Sequence, residues 1–179
     1  MVLGALIGIL IAGLLGHAAG LTLVPGVPWL VAPLGASAVL VFAVPSSPMA
    51  QPWAVMGGNT VSALVGIACI IGLRGLGSPE LVAALAVALA IALMLALRCL
   101  HPPGGASALL MVLAGIDNAA YAFYPVLLNS AVLVVVGIAY NNATRRPYPH
   151  LQLAPTSRAV PDGIRQLDAD LDAVLARYN

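Results

Sequence analysis

The sequence predicts an all-α membrane protein made of two repeats, each a span, a broken half-helix segment and a second span. Three observations carry that prediction: an apolar composition, a sharp partition of charge along the chain, and a motif that recurs at a fixed offset. Hydrophobic residues make up 61% of the 179 residues and charged residues only 7%, with a mean hydropathy of +1.04. Soluble domains carry about 25% charged residues. A chain with so few cannot cover a water-facing surface with polar groups, and a bilayer is its natural solvent. The net charge of +1 argues against a nucleic-acid partner, which needs a basic stripe. Cys69 and Cys99 both sit in apolar surroundings and fit neither a disulfide framework nor a metal cluster.

Charge divides the chain. Residues 1–142 hold only Arg74, Glu80, Arg98 and Asp117, and the remaining charges fall in 143–179. The first part reads as a membrane domain and the second as a tail. Residues 2–24 are apolar for long enough to span a core of about 30 Å. Pro25, Pro28 and Pro33 break the chain before an apolar run from Leu34 to Val44, and Pro45 to Pro48 ends it. A second span covers 54–73. Ser78, Pro79 and Glu80 then form a helix start, with Ser at the cap, Pro at the first helical position and an acid in the first turn. That span runs to about Leu97. The segment from Arg98 through His101, Pro102, Pro103, Gly104 and Gly105 is again broken, and an apolar stretch follows to Ala114. Gly115 to Asn118 make a turn, and 122–140 form the last span, with Tyr121, Tyr124 and Tyr140 as interfacial aromatics.

The repeat is visible in the residues. Pro33, Gly35, Ala36, Ser37 and Ala38 recur as Pro103, Gly105, Ala106, Ser107 and Ala108, an offset of 70 residues. The same offset carries Asn59 and Thr60 onto Asn129 and Ser130. Repeat one covers about 1–74 and repeat two about 75–142. The short segments carry the functional reading. About eleven residues at 1.5 Å each make a helix of about 16 Å, half a bilayer. Non-helical backbone at that depth survives only where protein buries it or where it lines a cavity. Paired interrupted segments in two repeats point to a transport site. A half-helix N-terminus offers free N–H groups and the positive end of a dipole, which together attract an anion.

The expected binding residues are therefore Pro33, Gly35, Ala36 and Ser37 in repeat one, and Pro102, Pro103, Gly104, Gly105, Ala106 and Ser107 in repeat two. Arg98 and His101, beside the second half-helix, are expected close to the anion. Intramembrane Arg usually faces a cavity or a partner, and His can donate a hydrogen bond or titrate. Asn59 and Asn129 are expected to line the path. Competing roles stand beside these: helix packing for the small residues, snorkelling for Arg98, capping or packing for His101, and inter-helix hydrogen bonds for the two Asn. Arg74, Arg145 and Arg146 read as topology signals. No HExxH, G-x-S-x-G or P-loop pattern occurs, so neither enzymatic activity nor a cofactor is expected.

In the tail, Asp162 can cap a helix over about 163–178. Its apolar stripe, Ile164, Leu167, Leu171, Val174 and Leu175, requires a docking partner.

Taken together, these motifs resemble the HPP family of integral membrane proteins, named for the tripeptide that stands here as His101-Pro102-Pro103. The run from Leu97 to Ser107, the run from Pro33 to Phe42, and Ser47 to Pro52 leading into Gly57, Gly58 and Asn59 all fit that signature. The resemblance covers about 1–142. It implies transport of a small inorganic anion, with nitrite as the candidate described for some members. Bacterial members often continue into paired nucleotide-sensing domains of the cystathionine-β-synthase type. The tail around Asp168 to Leu175 resembles the linker before such a pair, which implies a chain lacking its sensor. A sensor or scaffold that relays a signal through the tail is the alternative function.

Topology stays open at this level. If the short segments re-enter, four spans cross and Arg74 lies beside Arg145 and Arg146. If they cross, there are six crossings, the repeats are inverted, and Arg98 lies on that side. The apolar length from Val24 to Val44 favours six. The arginine count is the same either way. Localisation in the cell membrane is expected, with the tail cytoplasmic after Arg145 and Arg146. Gly-rich spans favour a homo-oligomer.

Overall fold

The computed structural model describes residues 1–18, 29–75 and 77–151. Its helices are α1 (Val2–Ala18), α2 (Pro33–Ala43), α3 (Pro52–Gly72), α4 (Pro79–Ala96), α5 (Pro102–Leu113) and α6 (Leu128–Ala143). A single 3-10 turn, Pro48–Ala50, precedes α3, and a wide π segment, Ala122–Leu127, feeds α6. Among the described residues there is no strand. Helices α3, α4 and the continuous stretch Ala122–Ala143 are long and apolar enough to cross a membrane; α1, α2 and α5 are shorter. The expected tail helix at about 163–178 lies outside the described residues.

Local chemistry explains the boundaries. Proline stands in the first turn of α2, α3, α4 and α5, where its missing N–H costs no helical bond. The Ser78 hydroxyl accepts from the Leu81 N–H at 3.3 Å, the cap expected of that residue. At the end of α4 the Cys99 N–H reaches Met94 O and the Arg98 N–H reaches Leu95 O. This is a Schellman closure, and it puts Arg98 at φ 53°. Arg145 closes α6 in the same way at φ 60°. Tyr124, at φ −139° and ψ 108°, interrupts the helical path into α6 beside Pro125, which has no N–H to continue the ladder. Tyr121 is buried rather than interfacial, because it packs into the main core with Ile116 and Val126.

Side-chain contacts fix the direction of every helix. Arg74, just past α3, pairs with Asp117, just past α5, so α3 and α5 end on one side. Trp53 Nε1 donates to Leu97 O at 3.1 Å, so α4 ends where α3 begins. Gly58 approaches Cys99 and His101, and Gly66 approaches Ala108 and Met111; α3 and α5 therefore run parallel. Trp29 Nε1 donates to Gly13 O at 3.0 Å, while Phe42 lies against Gly4 and Gly8, which makes α1 and α2 antiparallel. Tyr148, beyond α6, donates from its hydroxyl to Ala50 O at 2.8 Å, which brings the end of α6 to the start of α3. The chain thus reverses at each helix. One face of the bundle carries the ends of α2, α4 and α6 with Arg98, Arg145 and Arg146. The opposite face carries the ends of α1, α3 and α5 with Arg74. Helices α4 and α5 pack on α3, and α1 and α2 pack on α6; α2 also meets α5, and α3 meets α6.

Candidate functional site: a buried polar cluster at the start of two short helices

The apolar interior is interrupted where α2 and α5 come together. His101, Ser37, Asn59, Ser107 and Ser130 are all buried there. His101 caps the start of α5 in an extended conformation, and the prolines after it restrict that conformation. Its Nδ1 lies 2.8 Å from Met49 O and its Nε2 lies 2.8 Å from Ser37 Oγ. A carbonyl only accepts, so Nδ1 carries the hydrogen and the neutral ring offers its Nε2 lone pair to the Ser37 hydroxyl. The single Ser37 proton is then used, so Ser37 accepts from Asn59 Nδ2 at 3.1 Å. The same Asn59 nitrogen donates to Ser130 Oγ at 3.2 Å, and Asn59 Oδ1 accepts from Ser107 Oγ at 3.1 Å. One asparagine on α3 therefore joins α2, α5 and α6. Each such bond inside a membrane contributes about 0.6 kcal/mol on average.

Glycines allow the helices to come this close. A Cβ built on Gly58 would lie 2.5 Å from His101 Cβ and 2.7 Å from Cys99 O. One on Gly104 would lie 2.8 Å from both Gly58 O and Ser62 Oγ. Gly58 and Ser62, one turn apart on α3, set the seam on which α5 sits. The sequence offered a signal in the Gly57-Gly58-Asn59 run, but without a partner helix in view it did not mark Gly58 as the contact.

The expected residues divide sharply. Ser37, Asn59, His101 and Ser107 are brought together, and Pro33 and Pro103 supply carbonyls 3.2 and 3.4 Å from the hydroxyls of Ser37 and Ser107. Gly104 serves the α3–α5 seam. Gly35, Ala36, Pro102 and Ala106 are exposed on the bundle surface, and Gly105 is partly exposed; a Cβ on Gly35 would meet nothing. A helix of period 3.6 cannot turn consecutive residues to the same interior. Arg98 is exposed, at the left-handed cap of α4, and takes no part in the cluster's hydrogen bonds. Asn129 is buried but donates to Trp29 O at 2.8 Å, which secures the approach to α2, and its neighbour Ser130 joins Asn59 instead. Most of the free N–H groups expected at the half-helix starts are missing or already bonded. Pro33, Pro102 and Pro103 have none, the Leu34 and Gly35 N–H groups bond Val31 and Ala32 carbonyls, and the Gly104 N–H bonds His101 O at 2.8 Å. The dipole of each helix still favours negative charge at its start. Among the described residues no group of three or more His, Cys, Asp or Glu could hold a metal ion.

Two features were missed by sequence reasoning. The Met49 carbonyl that holds His101 is a backbone group and leaves no side-chain signal. Arg146, read only as a topology residue, donates to Phe42 O at 2.6 Å and Ala43 O at 3.1 Å, satisfying the last carbonyls of α2.

A bundle of apolar helices, three of them long enough to cross a bilayer, with a polar cluster near the start of two short helices marks a membrane protein. Comparison with known proteins is more specific. The family description "HPP, transmembrane region" matches residues 1–149, and the chain belongs to the HPP family. Two transmembrane proteins of Dictyostelium discoideum are similar to it. One is 38% identical over 152 residues, 82% of this chain and 48% of its own length. The other is 37% identical over 126 residues, 67% of this chain and 44% of its own. The chain thus spans about half the length of these curated relatives. No solved structure matches it significantly.

Proposed function

We propose that this chain is the membrane module of a transporter or channel for a small inorganic anion, with nitrite as the candidate implied by the family resemblance, and that it is not an enzyme. The observation that carries the proposal is the fully buried His101, set among Ser37, Asn59 and Ser107 where two half-membrane helices begin. An ionisable residue at membrane depth is costly and marks a solute or proton path by default, and discontinuous helices are where transporters build such sites. The opposed directions of α1–α3 and α4–α6 support a reading as two inverted repeats, with all six segments crossing or nearly crossing. Arg98, Arg145 and Arg146 share one face against Arg74 on the other, which favours a cytoplasmic tail in a cell-membrane protein. Homo-oligomer formation belongs to the same proposal; the surface-facing small residues Gly35, Ala36 and Gly72 suit close helix contact. The test is nitrite flux in liposomes containing only this chain. Saturable flux above protein-free vesicles is expected. Failure of nitrite, nitrate, formate and chloride alike to move would overturn the transport reading.

One observation favours the alternative of a sensor or scaffold. The segment after α6 forms a strap onto the loop that holds His101. Asn142 Nδ2 donates to Tyr148 O, and the Tyr148 N–H donates to Asn142 Oδ1. Tyr148 Oη reaches Ala50 O, and the His150 N–H donates to Gln51 Oε1. Met49, next to Ala50, carries the carbonyl that binds His101. A signal arriving along the tail has a short physical route to the cluster.

A further inference from the structure

We propose that His101 is a proton-binding site and that the anion crosses with one proton as an electroneutral pair: the neutral imidazole takes a proton on Nε2 as the anion enters beside it, and both depart together. This rests on the anion-transport reading and assigns its coupling ion.

An anion at membrane depth needs a positive partner, since an unpaired buried ion is prohibitively costly. The helix starts supply few N–H groups, as Pro33, Pro102 and Pro103 lack them and those of Leu34, Gly35 and Gly104 are already bonded. Among the described residues the permanent charges lie elsewhere. Arg74 and Asp117 pair with each other on the surface. Glu80, Arg98 and Arg145 are exposed. Arg146 holds the Phe42 and Ala43 carbonyls. His101 bonds Ser37 of α2 and the Met49 carbonyl and lies against Gly58 of α3; Asn59 bonds the same Ser37 hydroxyl, and Cys99 lies against the same Gly58. Of these only Cys99 is titratable, and none is a carboxylate. A proton on His101 is thus the one positive charge the cluster can generate, and it has no resident counterion.

Ser37 Oγ has two acceptors in reach, His101 Nε2 at 2.8 Å and Pro33 O at 3.2 Å. With neutral His101 the Ser37 hydroxyl donates to Nε2. After one proton from the aqueous phase binds the Nε2 lone pair, Nε2–H donates to Ser37 Oγ and the hydroxyl turns to Pro33 O. Ser37 still accepts from Asn59, and Nδ1–H still donates to Met49 O. Every partner is satisfied in both states, so the ring can change charge without leaving an orphaned group. The buried hydroxyl of Ser62, which has no protein partner, lies on the same α3–α5 seam and is a spare donor for an anion. Because His101 cannot hold a lone charge here, and an anion cannot stay without it, the two ions bind only together. The net charge moved per cycle is zero.

The experiment uses the full chain in liposomes, with potassium on both sides and valinomycin clamping the membrane potential at zero. Nitrite uptake is followed under an inward proton gradient of one pH unit, and then under an imposed potential without a proton gradient; leakage in protein-free vesicles is subtracted. Symport predicts about tenfold nitrite accumulation for one pH unit and no accumulation from potential alone. His101→Gln should abolish the proton-driven accumulation. In parallel, 15N spectra of the His101 ring in the detergent-solubilised full chain should change from a neutral Nδ1–H ring to imidazolium when nitrite is added. Nitrite flux that carries current and ignores the pH gradient would overturn proton coupling and leave transport intact, as would a ring that stays neutral with nitrite bound. Absence of any protein-dependent nitrite flux would overturn the transport reading itself and this inference with it.

Discussion

Replacing Gly58 by Ala tests the seam that positions His101. The new methyl would stand 2.5 Å from His101 Cβ, 2.7 Å from Cys99 O and 3.4 Å from Met94 Sδ. Two of these neighbours are a backbone oxygen and a Cβ fixed by the backbone, so α5 and its approach must move as a unit. Overpacking of this kind costs about 1–3 kcal/mol, and contacts this short place Gly58 in the upper half of that range. Ala also gains up to about 1 kcal/mol of helix propensity over Gly. The net expectation is destabilisation by about 1–2 kcal/mol. Gly35→Ala is the matched control, because nothing lies within 4 Å of the added carbon; it should stabilise by about 0.5–1 kcal/mol through propensity alone. Reversible unfolding in mixed micelles reads both, and the 15N shift of His101 Nε2 reports whether the Ser37 bond survives. Equal stability for the two variants, with an unchanged His101 signal in Gly58→Ala, would refute the close α3–α5 approach.

Other outcomes follow from the same geometry. Asn59→Leu removes the bonds to Ser37, Ser107 and Ser130 and should cost about 2 kcal/mol, measured in the same unfolding assay; a neutral result would mean that the cluster does not tie the helices together. Arg98→Gly should stabilise α4 by about 1 kcal/mol by relieving the left-handed conformation, whereas Arg98→Gln should lower nitrite affinity only if the side chain swings inward, which saturation kinetics would show. Burial raises the Tyr148 phenol above its ordinary 10.0. Its contribution is therefore complete below pH 10 and declines as pH rises further, because the unfolded chain ionises first. Tyr148→Phe should lose about 1 kcal/mol near neutrality and flatten the alkaline decline in stability. Cysteines placed at Gly75 and at Arg146 should label from opposite faces; labelling from one face would contradict the helix directions.

Much of the helical layout was legible because membrane burial writes it into composition. The proline-led starts of α2 and α5, the Ser78 cap and the turn at Gly115 all follow from local rules. The offset of 70 residues pairs Ser37 with Ser107, and both reach Asn59. It misled for Asn129, because the repeat equates residue types while the bundle gives Asn59 a central place and Asn129 a place beside Trp29. Gly35, Ala36 and Ala106 neighbour Ser37 and Ser107 in sequence, yet helical periodicity turns them outward. Proline at the starts of α2 and α5 removes donors that a half-helix N-terminus otherwise offers an anion. The Met49 carbonyl and the Arg146 clamp depend on long-range packing that single-sequence patterns do not carry.

The central claim is that the Ser37–His101–Asn59–Ser107 cluster lies on the anion path. The most direct measurement is reagent accessibility at Ser107→Cys, with Cys69 and Cys99 replaced by Ala, in liposomes containing the full chain. A small anionic thiosulfonate should modify the new thiol, and nitrite should slow that modification in a saturable manner. A thiol that stays inert to the reagent, or one modified at the same rate at every nitrite concentration, would contradict the account.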